Sequence, residues 1–286
     1  TSANKGDNEM KKLKLLLITL SLMSATTVAS AEALAPVKLD VNDKASLQNG
    51  AELYMQYCHS CHSLEFQRYN VTGRDSGMTD DQVKETLIKT GSFSTRENEY
   101  QPSKVGDLMM SSMHRKDSNL WFGKAPPDLS TITRARSGNP NGSIEDRQNG
   151  ADYIYHYLNS FYLDDTRPLG VNNIAFPTVG MPHALVELQG EYKPVYEDRL
   201  PEGCKAADDA ECKMQSVVVG TELVKPGKMT PAEYQAATRD IVNFLSYVAE
   251  PAQIKRAQYG PWVILFLVVF TVCAYFMNRE YWKDVK

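Results

Sequence analysis

The hydrophobic pattern opens on a basic stretch, Met10-Lys11-Lys12-Leu13-Lys14, an apolar run over 15–23, and the small-x-small triplet Ala29-Ser30-Ala31. That order marks a signal peptide, and the run is shorter than the ~20 residues that span a bilayer, so cleavage before Glu32 is expected. Over 46–57, Leu47, Gly50, Ala51, Tyr54 and Tyr57 recur at helical intervals and predict a helix with one buried face. Glycine in mid-helix costs roughly 1 kcal/mol against alanine, which leaves either a close helix crossing at Gly50 or a helix that starts after it. The stretch 137–150, rich in Gly and Asn, reads as a surface loop, and 151–162 as a helix with Tyr153, Tyr157 and Leu158 on one face. Further on, Thr230-Pro231-Ala232-Glu233 forms a capping box with proline at the first helical position. Tyr234, Ala237, Ile241, Phe244, Leu245 and Val248 continue it as an apolar stripe that Pro251 ends. Finally, no charge occurs over 259–277, and Tyr259, Trp262 and Trp282 stand where interfacial aromatics belong. This pattern predicts one membrane-crossing helix.

The expected organisation is therefore a leader and signal peptide over 1–31, an exported domain over 32–250, a linker over 251–258, an anchor over 259–278 and a cytoplasmic tail over 279–286. With 286 residues, 42% hydrophobic and 23% charged, the chain can build a sizeable core and is not a disordered protein. Its net charge of -4 provides no basic field for nucleic acid and suits a basic protein partner better.

The chemistry is concentrated in Cys58-His59-Ser60-Cys61-His62. Two cysteines two residues apart, with histidine directly after, is the spacing that holds a c-type haem through thioethers and offers a proximal imidazole to iron. A zinc ribbon needs a second such pair, and the sequence contains none. Export agrees with the motif, because covalent haem attachment belongs to the oxidising side of the bacterial membrane. Downstream, Ala125-Pro126-Pro127-Asp128-Leu129-Ser130 cannot be helix interior. It is either a surface turn or a wall whose backbone carbonyl orients the His62 ring. A sixth iron ligand would come from a methionine or from His114, His156 or His183. Met181 stands out in the constrained loop 172–183, with His183 its nearest competitor. Cys204 and Cys212, in an acidic stretch of an exported chain, are read as a disulfide, with two free thiols as the alternative. Acidic residues there, with Glu197 and Asp198, would attract a positively charged acceptor, or are simply solvated.

The helix with Gly50 two turns and Tyr54 one turn before Cys58, and an aromatic C-terminal helix to cross it, resemble the class I cytochrome c fold. Taken together, Cys58 to His62, the Pro-Pro-Asp-Leu-Ser block, Arg134-Ala135-Arg136, Asp152-Tyr153-Ile154-Tyr155, Met181-Pro182 and the single C-terminal anchor resemble the cytochrome c1 family over nearly the whole mature chain. The resemblance implies a mainly α class I cytochrome c fold with loop insertions, plus one C-terminal transmembrane helix. It implies one covalent haem c on Cys58 and Cys61, His62 and Met181 as axial ligands, and Pro127, Arg136 and Tyr153 around the cofactor. Implied partners are cytochrome b, a Rieske iron-sulfur protein, a soluble cytochrome c and the lipid bilayer. The implied place is the bacterial inner membrane, with the haem domain in the periplasm. The expected function is electron transfer within a quinol–cytochrome c reductase. The rivals are an anchored cytochrome c that feeds a terminal oxidase, a haem enzyme, and a gas sensor with an open iron position.

Overall fold

The computed structural model describes residues 36–94, 96–137, 144–199 and 214–284. The signal peptide, Cys204 and Cys212 lie outside the described residues. The fold is mainly α. Helix α1 (Lys44–Tyr57) begins where the Asp43 side chain accepts the Ala45 and Ser46 amides, which satisfies donors that a helix start leaves free. A long helix far down the chain, α7 (Pro231–Ala249), starts at the predicted capping box of Thr230 and Glu233. Every residue of its predicted stripe is buried.

These two helices cross at Gly50. A Cβ there would collide with the Asp240 carbonyl oxygen, 2.6 Å from that carbonyl's carbon and 2.9 Å from Phe244 Cβ. The missing side chain is what lets the backbones meet. Around the crossing Leu47, Ala51, Tyr54, Ile241, Phe244 and Leu245 are buried. The large ones contribute roughly 1.5–3 kcal/mol each by leaving water. Polar bonds seal the margin: Ser46 Oγ and Asn49 Nδ2 both donate to the Asp240 carboxylate at 2.7 Å.

Between the two helices the chain makes short elements. They are β1 (Leu64–Arg68), α2 (Tyr69–Ser76), a one-turn helix Asp80–Gln82 that widens into a π-turn Val83–Leu87, β2 (Gly91–Ser94), β3 (Glu99–Pro102), β4 (Leu108–Met109), α3 (Arg115–Phe122) and α4 (Ile132–Ala135). Strand β1 pairs antiparallel with β4, and β2 with β3. Helix α5 (Ile144–Asn159) follows. The expected loop over 137–150 is thus helical from Ile144. Its glycine is a contact, not a turn: a Cβ at Gly150 would strike the Thr133 carbonyl oxygen and lie 2.9 Å from the Ser137 nitrogen.

Strands β5 (Phe161–Leu163) and β6 (Val171–Asn173) pair, and a short α6 (Val186–Gln189) leads into a long antiparallel hairpin. Its strands β7 (Gly190–Arg199) and β8 (Gln215–Pro226) pair from Gly190 opposite Pro226 to Arg199 opposite Gln215, with the register shifting between Glu191 and Tyr192 and between Val195 and Tyr196. The pattern of apolar residues had not announced this hairpin. Glu197, expected as an attracting charge, is paired with Arg199 at 2.7 Å.

After Ala249 only Glu250 and Pro251 separate α7 from α8 (Ala252–Tyr281), a 30-residue helix that contains an 18-residue stretch of mean hydropathy 2.1. The segment expected as a linker is therefore the first turns of α8. Pro251 is its N-cap residue, already in helical conformation. An Arg256–Glu250 ion pair spans the break. The apolar side chains of α8 are exposed from Trp262 to Met277. An apolar, unburied helix of this length is a candidate membrane span.

Candidate haem-binding site

Helix α1 delivers the first cysteine. Cys58 caps it, and the chain then coils tightly, with the His59 amide donating to the Tyr54 carbonyl at 2.9 Å and the Cys61 and His62 amides to the Cys58 carbonyl at 3.1 and 2.9 Å. Tyr54, buried at the helix crossing, closes the turn by donating its hydroxyl to the His62 carbonyl at 2.5 Å. Both sulfurs are free thiols, and burial, reinforced by Cys61, pushes the Cys58 thiol up to about 12. Buried His59 packs edge-on against Tyr54 at 6.0 Å.

The proline-rich segment is a wall docked on this turn. The Asp128 carboxylate accepts the Glu65 and Ser130 amides, each at 2.8 Å, Ser130 Oγ accepts the Phe66 amide at 3.1 Å, and the Leu129 amide donates to the Ser63 carbonyl at 3.0 Å. So held, Pro127 presents its carbonyl to His62, whose Nδ1 donates to it at 2.7 Å. This bond fixes the tautomer and ring plane and leaves Nε2 as the unprotonated nitrogen, the one able to accept a metal. Burial lowers the basicity of His62, against the opposing effects of Pro127 and Asp128, and so favours the neutral ring.

A second cluster gathers around Met181. Its loop is tied by two buried asparagines that the sequence reading passed over. Asn173 Oδ1 accepts the Phe176 amide at 3.0 Å, and Asn172 Oδ1 accepts the Thr178 amide at 2.9 Å. Thr178 is held at φ 64°, a left-handed conformation costly for a β-branched residue. From this braced loop Met181 reaches the Tyr157 hydroxyl, which donates to Sδ at 3.3 Å. Tyr153 stacks on Tyr157 at 6.3 Å, and the Arg136 guanidinium lies 5.5 Å over the Tyr153 ring and 6.0 Å over Phe176. His183 lies flat on Phe161 at 4.6 Å with its Nε2 buried and unpartnered, and burial pushes its imidazole down to about 4.

The structure thus brings Cys58, Cys61, His62 and Pro127 into one group and Arg136, Tyr153 and Met181 into another. Helices α5 and α7 are bonded to each other through the Tyr234 hydroxyl and the Leu158 carbonyl at 2.7 Å. Tyr157 belongs to the second group and was legible only as a face residue one turn after Tyr153. The donor chemistry fits a c-type haem: two free thiols at the attachment spacing, an imidazole with Nδ1 already committed, and a thioether on a constrained loop.

Comparison with known proteins agrees with this geometry. The Cytochrome C1 family matches residues 37–285. Cytochrome c1 of Allochromatium vinosum is 39% identical over 275 residues, 95% of this chain and 99% of its own. The ammonia monooxygenase gamma subunit of Nitrosomonas europaea is 35% identical over 96% of this chain and 100% of its own. Cytochrome c1 of Rhodobacter capsulatus is 26% identical over 85% of each. With the family match covering nearly all of the described residues and including the Cys58–His62 turn, the chain belongs to the cytochrome c1 family, whose members are haem c electron-transfer subunits of the membrane-associated bc1 complex.

Proposed function

We propose that this chain accepts one electron at a time from a Rieske iron-sulfur protein and passes it to a soluble cytochrome c. Cys58 and Cys61 would hold a single haem c covalently, His62 and Met181 would supply ligands to its iron, and Pro127, Arg136 and Tyr153 would contribute to its surroundings. Bound there, the haem supplies reversible one-electron chemistry, with a thioether ligand favouring the ferrous state and a high potential. The residues of the chain do the positioning. Pro127 holds the His62 ring through Nδ1, Asp128 holds Pro127's segment on β1, and the braced loop presents Met181. The observation that carries the reading is the Cys58–His62 turn with its histidine bonded to Pro127.

We carry over the electron-carrier role and not the monooxygenase name, because this donor set is that of haem attachment. Helix α8 would anchor the chain beside cytochrome b, with the haem domain on the periplasmic side, as the basic stretch and apolar run at the N-terminus imply. The test is purification from detergent-solubilised membranes. A b-type cytochrome and a Rieske subunit should copurify, and ubiquinol should reduce this haem only when both are present. A chain that purifies free of both and reduces a terminal oxidase directly would overturn the reading in favour of an anchored oxidase donor.

A further inference from the structure

A group of positive charges at the foot of the domain plays no part in holding the cofactor. Lys255 and Arg256, exposed in the opening turns of α8, are the last charges before the span, and none follows until Arg279. They stand near the end where a helix dipole disfavours cations, and, with the haem domain outside, on the side of a bilayer where basic residues are scarce. Neither the helix nor its orientation calls for them. Ile254 packs against the domain core and brings Lys255 close enough to Asp75 to stabilise its carboxylate. Asp75 also accepts from the Tyr247 hydroxyl and pairs with Arg74, each at 2.8 Å. Lys44 reaches the same end of α2, since a Cβ at Gly77 would lie 3.4 Å from its Nζ. Three helices, α1, α2 and α8, thus bring cations to one patch.

The carboxylates among them, Asp43, Asp75 and Glu250, leave one positive charge in excess and lie behind it. Asp43 is engaged by two amides at the start of α1. The Asp75 and Glu250 side chains are 17% and 14% exposed, against 63% for Arg74 and 49% for Arg256. What faces outward is a cationic rim, and guanidinium groups suit phosphate oxygens. Within one turn below it the surface of α8 becomes apolar. Gly260, four residues after Arg256, leaves open space, and Val263 and Leu267 continue the same stripe, exposed. From Arg256 to Leu267 the helix rises on the order of 15 Å, half the thickness of a bilayer core.

We infer that this patch binds the phosphate of an anionic phospholipid in the leaflet nearest the haem domain, with an acyl chain lying along Gly260, Val263 and Leu267. The inference rests on the reading of α8 as a membrane anchor. Free phosphate shares the headgroup's chemistry but makes no use of the apolar stripe, so the lipid is the fitting occupant. Held between Arg74 of α2 and Lys255 of α8, its headgroup would tie the domain to the membrane plane.

The test places the haem-loaded chain in nanodiscs of equal phosphatidylcholine and phosphatidylglycerol and counts the lipids it retains by native mass spectrometry. One excess charge beside an anionic surface is worth roughly a five-fold gain, so the wild type should retain phosphatidylglycerol over phosphatidylcholine by about that factor. Lys255→Gln with Arg256→Gln should abolish the preference, and Arg74→Gln should weaken it. Arg279→Gln with Lys283→Gln, at the other end of the span, should leave it unchanged. Covalent haem content and melting temperature establish that each variant is folded. Equal retention of the two lipids by the wild type, or a preference that survives Lys255→Gln with Arg256→Gln, overturns the site while the anchor stands. Inorganic phosphate raising the melting temperature in detergent as much as phosphatidylglycerol does would show a free-anion site and overturn the lipid assignment. A chain that elutes free of every nanodisc refutes the anchor itself, and the site with it.

Discussion

Replacing Gly50 with alanine tests the helix crossing that supports the attachment turn. The new methyl carbon would sit 2.6 Å from the Asp240 carbonyl carbon and 2.9 Å from Phe244 Cβ. Favourable carbon contacts begin at ~3.5 Å, so the two helices must part by roughly 1 Å. The obstructing atoms are mostly backbone in the middle of α7 and cannot rotate away as a side-chain tip can. Overpacking of a well-filled core costs about 1–3 kcal/mol, occasionally more, and a clash with backbone belongs at the upper end. Alanine's better helix propensity returns about 1 kcal/mol, which leaves a net loss of about 2 kcal/mol. For a domain of this size that corresponds to a fall of about 4–8 °C in melting temperature. The assay is thermal unfolding of haem-loaded protein, followed by far-UV circular dichroism and by the Soret band. Gly106→Ala is the control, since a Cβ there meets nothing within 4 Å. A melting temperature for Gly50→Ala equal to or above that of the wild type would refute the close crossing.

Three further outcomes are expected. Cys58→Ser with Cys61→Ser should abolish covalent haem on a haem-stained denaturing gel, and the same double variant retaining its stain would move the attachment site elsewhere. Asp128→Ala strands the Glu65 and Ser130 amides, which should cost about 1–3 kcal/mol in a urea melt, with Asp128→Asn partly restoring it. Burial works to raise the Asp75 carboxyl, but hydrogen bonds from Arg74 and Tyr247 outweigh it and hold it below its ordinary 3.8. Its stabilisation is therefore complete above that value and is lost as pH falls through the lower folded value. Tyr247→Phe should cost about 1 kcal/mol near neutrality and reduce the loss of stability below about pH 4; an unchanged acid limb would show that the bond does not depress Asp75.

Where local chemistry determines structure, the sequence was a good guide. The Thr230 capping box starts α7 because its bonds are all within one turn, and Gly50 marks a crossing because only absence of a side chain allows one. The Pro126-Pro127 segment left two readings, a surface turn or a wall for His62, and the Pro127 carbonyl's bond to Nδ1 selects the second. What misled was the same signal used for two purposes. Gly150 and its asparagine neighbours read as a loop, yet the glycine makes room for Thr133 against a helix. Pro251 read as a stop and is one for α7, which ends at Ala249, but the same proline is the N-cap of α8, a start the reading did not include. The hairpin escaped because Val217, Val218 and Val219 run consecutively instead of alternating. The Tyr157 bond to Met181 joins residues whose proximity depends on the packing of α5 against a distant loop, which no local period encodes.

The short break between α7 and α8 also determines how the carrier can move. From Ala252 to Tyr259 the helix rises on the order of 10 Å before its uncharged stretch begins, at 1.5 Å per residue. The redox domain thus stands on a helical post instead of swinging from a string. With α7 carrying half of the crossing that backs the attachment turn, its height above the bilayer is set by those few turns. Lengthening the post by one turn would raise the domain by about 5.4 Å without touching a single one of its residues.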